Sequence, residues 1–242
     1  MGAGNAGYHA MTIGLYMQEL IRHVDPAHRT LGRFFHEEIA EPLGIEFYIG
    51  LPPEIPDHRL ARLRTFTAIR ALRAVPYIRP GFVLRVAWPW SLLRKSMLFA
   101  DVDPNDRRWL EVEVPAGNGV GTARAITRAY SAFADGGTDL GITPETLALL
   151  IAPHDVERER DEVMGTPSWL SLGFLKPGPQ IAFGAGQSAF GTPGAGGSFG
   201  FADPDSRLGF AYVMNHMDYY MFDDPREKAL RDAVYSSIRR LV

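Results

Sequence analysis

The sequence contains no cysteine, which excludes disulfide bonds, thiolate metal sites and a cysteine nucleophile. Basic residues are not in excess, because the formal net charge is −3, and this argues against a nucleic-acid partner. The chain has neither an apolar run of membrane-spanning length nor an export signal at its start, and its seven histidines form no metal-ligand pair. We therefore expect a cytoplasmic protein, with a periplasmic location left open, that uses neither metal nor cofactor.

A second absence is local. From Arg59 to Ala100 the sequence has no acidic residue, whereas it carries nine arginines and lysines. This stretch belongs to a proline-interrupted insertion at about 52–114. One interpretation is a patch at 59–100 that contacts anionic lipid, with apolar side chains entering the boundary layer: Phe82, Trp88, Trp90 and Leu92. The other is a solvated insertion whose arginines pair with acidic residues elsewhere.

The remaining pattern predicts an α+β fold, an antiparallel sheet flanked by helices. With 242 residues and 46% hydrophobic residues, the chain can bury a substantial core, and we expect one domain over 1–242. Apolar periodicity and capping residues predict helices at about 11–24, 31–39, 123–133, 144–151 and 225–241. In the last of these helices Glu227 is predicted to be a capping-box residue, and an apolar stripe should lie on the sheet: Leu230, Ala233, Val234, Ile238 and Leu241. Alternation and turn signals predict strands at about 46–49, 170–175 and 180–185. The highly charged stretch at 153–167 has no apolar period and predicts an exposed loop.

The glycine-rich stretch from Phe190 to Asn215 predicts a hairpin. Glycines at 191, 194, 196, 197 and 200 remove side chains from its first strand, so another backbone or a ligand can approach closely. Asp203-Pro204-Asp205-Ser206 supplies a turn, and Leu208–Val213 continues as a second apolar strand.

Two motifs in the chain resemble those of the penicillin-recognising serine hydrolases: class C β-lactamases, penicillin-binding proteins and related esterases. Thr192-Pro193-Gly194-Ala195 is similar to their third motif, although threonine replaces the usual lysine or histidine. Tyr8-His9-Ala10 is similar to the second motif, in the Tyr-His-Ala form of esterase-like members. The first motif, Ser-x-x-Lys, is missing, because Leu, Gly and Pro stand three residues before Lys95, Lys176 and Lys228. The chain thus resembles the latter part of the family's domain, incomplete at the N-terminus and like the interior of a longer protein.

The resemblance implies a role for four residues. Tyr8 would relay protons beside a nucleophile that is not in this chain, provided that nearby cations lower its pKa. Thr192 would hydrogen-bond the substrate, Gly194 would let the acyl group lie against the strand, and the N–H of Ala195 would stabilise the oxyanion. The intact protein would hydrolyse small carboxylic esters, or β-lactams, through an acyl-serine intermediate. We expect this chain alone to be inactive, and the basic insertion to form a lid over the acyl pocket.

Several alternatives stay open. A non-catalytic remnant could bind an acyl group or peptide between Tyr8 and Thr192. The glycine pattern of residues 184–189 matches a relaxed dinucleotide fingerprint, which is typical of oxidoreductases but requires a following helix. A homo-oligomer, or the missing N-terminal half, could cover an exposed core face. Side chains that deserve testing for unrecognised chemistry are Ser188, Ser198, His9 and His216.

Overall fold

A computed structural model describes residues 7–67, 80–96, 102–152, 161–165, 167, 169–179, 181–184, 186–220 and 222–241. The chain divides into two compact units. The first comprises Met1–Leu63, Arg79–Ala125 and Arg158–Pro167. The second comprises Arg64–Ile78, Ile126–Glu157 and Ser168–Val242. Parts of the basic insertion, of the loop predicted at 153–167 and of the strand predicted at 180–185 lie outside the described residues.

The described elements comprise helices and short strands. The helices are α1 Thr12–Val24, α2 Leu31–Phe35, α3 Glu41–Leu43, α4 Pro80–Ala87, α5 Leu92–Ser96, α6 Arg107–Glu111, α7 Ala123–Ala134, α8 Pro144–Ile151 and α9 Pro225–Leu241. The strands are β1 Phe47–Tyr48, β2 Val120–Gly121, β3 Phe190–Pro193, β4 Phe199–Asp203 and β5 Leu208–Tyr212. None of these helices is long and apolar enough to cross a membrane.

In the first unit, threonine caps begin helices where the sequence predicts them. The Thr30 hydroxyl accepts a hydrogen bond from the N–H of Arg33 at 3.3 Å and donates to Glu113 at 2.6 Å. Helix α2 continues through a π-helical turn, His36–Ala40, into α3. Strand β1 pairs antiparallel with β2, so the predicted strand at 46–49 is confirmed in a shorter form.

The second unit is built around a three-stranded antiparallel sheet, in the order β3-β4-β5, that is covered on both faces. On one face, Phe199 and Phe201 of β4 pack with Phe183 and with Tyr235 of α9. On the other, Ala202 and Phe190 pack with residues of α7 and α8. The side chains of β4 therefore contribute to two separate hydrophobic cores, one on each face of the sheet. The predicted α+β fold, an antiparallel sheet flanked by helices, is confirmed.

Helix α7 lies almost against the sheet backbone. A Cβ atom on Gly200 would be 2.6 Å from the ring of Tyr130, and one on Gly209 would be 2.4 Å from the backbone nitrogen of Ser131. Any side chain at these positions would push the helix away, so the absence of a side chain at both glycines permits the contact.

The glycine-rich stretch forms three strands rather than the predicted two. The turn at 203–206 and the β4–β5 hairpin are confirmed, with Asp203 opposite Leu208. However, the chain reverses earlier, at Gly194–Ser198, so that β3 pairs antiparallel with β4 and Thr192 stands opposite Gly200. Gly196 and Gly197 have φ values of 83° and 111°, which end an extended strand.

The strand predicted at 170–175 is wrong. Leu170 and Leu175 are partners in an isolated bridge across a tight loop, and Leu175 also pairs with Gly191. Gly178 forms a bridge with Ile181, so a turn replaces the start of the second predicted strand. The described part of the loop predicted at 153–167 is also less exposed than expected, because Asp161 is buried.

Helix α9 packs on the sheet as predicted, and Val234 of the predicted apolar stripe contacts the core, but the buried face is shifted from that stripe. Asp224 caps it by accepting a hydrogen bond from the N–H of Arg226 at 2.9 Å. Leu230, which belongs to the predicted apolar stripe, is exposed, whereas Glu227, Arg231 and Tyr235 are buried. Glu227 does not act as a capping-box residue. Its Oε1 accepts a hydrogen bond from Arg231 at 3.2 Å.

Exchanging Tyr235 for phenylalanine tests the buried contact between α9 and the sheet. The Tyr235 hydroxyl donates to Oδ2 of the fully buried Asp203 at 2.5 Å. We expect Tyr235→Phe to lower the free energy of unfolding by about 1–3 kcal/mol in urea titrations, because a buried carboxyl loses a hydrogen bond. Tyr16→Phe, at an exposed tyrosine, should change it by less than about 0.5 kcal/mol. Equal losses of stability in the two variants would contradict a stabilising Tyr235–Asp203 hydrogen bond.

Exchanging Glu227 for glutamine should change how stability depends on pH. Burial raises the pKa of Glu227 to about 7. The positive charge of Arg231 lowers this pKa by a smaller amount, and the negative charges of Asp223, Asp224 and Asp232 raise it further. Between its ordinary pKa and this value the folded state binds more protons than the unfolded state, so stability falls as pH rises.

We therefore expect the wild-type protein to lose about 1–3 kcal/mol relative to Glu227→Gln between roughly pH 5 and pH 8, measured by urea unfolding. Glu19→Gln, at an exposed side chain, should follow the wild type. Parallel stability profiles for the wild-type protein and Glu227→Gln would show that Glu227 does not titrate in this window.

Candidate active site

The end of β3 presents the predicted third motif on an accessible edge. Phe190 and Gly191 are buried, whereas Thr192, Gly194 and Ala195 are exposed. Gly191 exchanges two backbone hydrogen bonds with Leu175, at 2.9 and 3.0 Å, and these anchor the strand just before the motif. The structure therefore brings Thr192, Gly194 and Ala195 together within one strand end and its turn.

A compact turn at Gly194–Ser198 sets the direction of the backbone groups after the motif. The N–H of Gly194 donates to the carbonyl of Ser198 at 2.7 Å, and the N–H of Gly197 donates to the carbonyl of Gly194 at 3.2 Å. Among the described residues, none accepts a loop hydrogen bond from the N–H of Ala195. A backbone N–H of this kind is the donor that an oxyanion hole uses.

Arg226, at the start of α9, holds the turn from behind. Its guanidinium donates to the carbonyl of Gly196 at 3.1 Å and to the carbonyl of His216 at 2.6 Å. It also forms an ion pair with the buried Asp224 at 2.5 Å. The N–H of Asp218 donates to the same Gly196 carbonyl at 3.0 Å. The carbonyl side of the turn is therefore fixed by charged and backbone donors.

Thr192 lies close enough to the phenol of Tyr130, on α7, to lower the pKa of that phenol. Burial has the larger effect and raises the pKa of Tyr130 to about 12, so the phenol is neutral and can donate to or accept from the threonine hydroxyl. Thr192 therefore has a neutral side chain as its neighbour. Together Tyr130 and Thr192 supply hydrogen bonds but no positive charge.

Behind the turn lies a small recess that is open to solvent. Glu227 lines it, and Oε2 of this buried carboxyl has no hydrogen-bond partner among the described residues. The lining residues are Pro193, Gly194, Gly197, Ser198, Phe199, Tyr220, Phe222, Asp223, Asp224 and Glu227. The recess therefore adjoins the motif on the side where α9 begins.

Tyr8 lies in the first unit, just before α1, with 49% of its surface exposed. Burial and then the negative charge of Asp161 raise its pKa above the ordinary value. The condition that nearby cations lower this pKa is therefore not met among the described residues, whose net effect is to raise it. The role of Tyr8 as a proton relay stays a prediction from the family resemblance.

The two candidate serines occupy different surroundings. The hydroxyl of Ser188 is buried, and Lys176 donates to the carbonyl of Ser188 at 2.9 Å. Burial lowers the pKa of Lys176. The Ser198 hydroxyl lies beside Gly194, because a Cβ atom added to Gly194 would be 2.1 Å from the hydroxyl oxygen of Ser198. Neither serine precedes a lysine by three positions.

The other candidates have structural explanations. The imidazole of His9 is 2.8 Å from the Thr12 hydroxyl, at the start of α1. His216 forms an isolated parallel bridge with Arg64. The glycine pattern at 184–189 leads into β3, so the helix that the dinucleotide fingerprint requires does not follow it. In the part of the chain that the structure describes, no group of three or more histidine, aspartate or glutamate side chains could hold a metal ion.

Sequence reasoning missed Tyr130 and Arg226, the two side chains that support the motif. Neither belongs to a motif, and each meets its partner across a long sequence separation. The signal nearest to Arg226 is the cap Asp224-Pro225, which marks the helix start but not the direction of the arginine.

Comparison with known proteins is consistent with this geometry. The β-lactamase family model matches residues 3–235. The esterase/β-lactamase LipL of Mycobacterium tuberculosis (strain ATCC 25618 / H37Rv) is 32% identical over 219 residues, which cover 88% of this chain and 49% of LipL.

Two solved structures are similar over almost the whole chain. A penicillin-binding protein homologue from Caulobacter crescentus is 34% identical, with a TM-score of 0.77, and the match covers 97% of this chain and 59% of that one. A family VIII carboxylesterase is also 34% identical, with a TM-score of 0.71, and the match covers 95% of this chain and 58% of that one. The chain thus spans about half to three fifths of the length of these relatives. Its matched sequence, antiparallel sheet and flanking helices establish that the chain belongs to the β-lactamase family of serine hydrolases and esterases.

Proposed function

We propose that this chain carries the acyl-binding side of a carboxylesterase active site, and that the intact protein hydrolyses small carboxylic esters through an acyl-serine intermediate. The observation that supports this most directly is the exposed strand end at Thr192–Ala195. A hydroxyl, a position without a side chain and a backbone N–H lie there on one accessible edge. These are the groups that an acyl site needs beside its nucleophile.

The chemistry at Thr192 favours esters over β-lactams. A β-lactam antibiotic carries a carboxylate, which a cation recognises better than a neutral donor does. Thr192 and Tyr130 offer only neutral hydroxyls at this position. Among the relatives, one is described as an esterase/β-lactamase and another as a carboxylesterase. A neutral ester is therefore the substrate class that we assign.

The nucleophile is the part that this chain does not supply. No serine stands three residues before any of the three lysines, so the Ser-x-x-Lys pair is absent from the 242 residues. An acyl site without a nucleophile can bind an ester but cannot form the covalent intermediate. We therefore propose that the chain by itself binds esters without turning them over, which is also what a non-catalytic remnant would do.

Covalent labelling tests the absence of a nucleophile. We expect no adduct in intact-mass spectra after incubation with a fluorophosphonate or a penicillin, and no turnover of a short nitrophenyl ester, because no activated serine is present. A single adduct on a serine of this chain would overturn the proposal. Ser188→Ala and Ser198→Ala would then identify the nucleophile by loss of the adduct.

A pair of substitutions tests ester binding at the motif. We expect ethyl butyrate to bind the wild-type chain saturably and to shift the amide NMR signals of Thr192 and Ala195. Thr192→Val keeps the shape but removes the hydroxyl, so affinity should fall by about threefold to tenfold.

Tyr130→Phe is the matched control, because it removes the phenol that interacts with Thr192 and leaves the threonine hydroxyl available. It should retain the wild-type affinity. Equal losses in the two variants would mean that the hydroxyl only stabilises the fold, and absence of saturable binding to the wild type would refute the ester site.

A further inference from the structure

The basic insertion contains an exposed corner with two tryptophans. Trp88-Pro89-Trp90-Ser91 joins α4 to α5, and we refer to these four residues as the tryptophan corner. Trp88 and Trp90 are 61% and 69% exposed, with ring centroids 5.7 Å apart in an edge-on arrangement. Leu84 of α4 is 71% exposed, and Val83 and Leu92 are also exposed. These five large apolar side chains all fall within residues 83–92, and the two indole rings are in contact with each other.

Hydrogen bonds hold the backbone of the corner in place. The N–H of Trp88 donates to the carbonyl of Leu84 at 2.9 Å, and the N–H of Ser91 donates to the carbonyl of Trp88 at 3.1 Å. The Ser91 hydroxyl donates to the carbonyl of Arg85. The two indoles are therefore presented by an ordered turn, and their exposure does not come from a lack of local structure.

A buried side chain in α5 and a hydrogen bond from α4 hold these two helices in place. Leu93 of α5 is almost completely buried, although its neighbour Leu92 is exposed. Arg85 of α4 donates to the carbonyl of Glu162 at 2.7 Å within the same unit. Each helix thus has one anchored residue next to an exposed leucine.

Charge indicates what could cover this surface. No acidic residue occurs from Arg59 to Ala100, and the exposed Lys95 lies one helical turn after Leu92. By contrast, the exposed apolar side chains of α1 are interspersed with Glu19 and Arg22, which pair with each other. Tryptophans beside basic residues, in a stretch of sequence that contains no acidic residue, are typical of proteins that bind anionic membrane surfaces.

We propose that the tryptophan corner, with Leu84 and Leu92, docks on an anionic phospholipid surface. Trp88 and Trp90 enter the boundary between headgroups and acyl chains, and Lys95 contacts the headgroup phosphates. The indole rings suit this layer because they combine an apolar body with one N–H donor. This inference does not depend on the ester site, since it concerns residues outside the motif.

Vesicle binding tests the proposal on the full chain. We expect co-sedimentation with vesicles of phosphatidylcholine and phosphatidylglycerol, weak or no binding to phosphatidylcholine alone, and loss of binding at high salt. Tryptophan emission should shift to shorter wavelength on binding. Trp88→Ser/Trp90→Ser should weaken binding by at least about tenfold, because two aromatic side chains no longer leave water. Lys95→Glu should weaken it by roughly fivefold or more.

Matched controls distinguish vesicle binding by the tryptophan corner from binding by other aromatic or exposed apolar side chains. Trp109→Phe and Trp169→Phe, at the other two tryptophans, and Tyr16→Ser, on the exposed face of α1, should leave vesicle binding unchanged. Equal binding to neutral vesicles, or equal loss in the controls, would overturn the proposal. So would a dimer, detected by light scattering without lipid, that the double variant abolishes, since a second copy would then occupy the corner.

Discussion

The close contact between helix α7 and the sheet is the constraint on which the second unit depends. Gly200 and Gly209 leave no space for a Cβ atom, so the helix backbone rests on β4 and β5. This contact places Tyr130 above the end of β3, where its hydroxyl meets Thr192. A side chain at either glycine would raise the helix and separate this pair, so the glycines of the sheet position a residue of the candidate site without touching a ligand.

Local signals predict much of the fold. Thr30, Thr122 and Thr143 each accept a hydrogen bond from an amide three residues later, so donor and acceptor are both visible within a short stretch of sequence. The β4–β5 hairpin is similarly local, because Asp203-Pro204-Asp205-Ser206 contains the groups that form the turn. The early reversal at Gly194–Ser198 could not be predicted in this way. A glycine run is compatible both with an extended strand and with positive φ, and distant partners such as Arg226 decide between them.

Helix α9 shows why periodicity alone assigns a wrong face. Counting apolar residues places Leu230 inside, because the pattern treats charged residues as exposed. Glu227 and Arg231 instead occupy the buried face, where each offsets part of the other's cost of burial. Arg226, which supports the candidate site, was missed for a related reason: its function depends on the carbonyls of Gly196 and His216, which no pattern near position 226 encodes.

The support of the motif also explains how the proposed acyl site can form in a chain that lacks the nucleophile. Asp224 caps α9 and pairs with Arg226, and Arg226 holds the Gly196 carbonyl, so the start of the helix and the turn form one hydrogen-bonded unit. The N–H of Ala195 shares its peptide plane with the carbonyl of Gly194, and that carbonyl accepts a hydrogen bond from the N–H of Gly197, so the N–H of Ala195 keeps a fixed direction before any ligand arrives. All of these contacts lie within the second unit and none involves a serine nucleophile. The geometry that would bind an acyl group is therefore specified independently of the chemistry that would attack it.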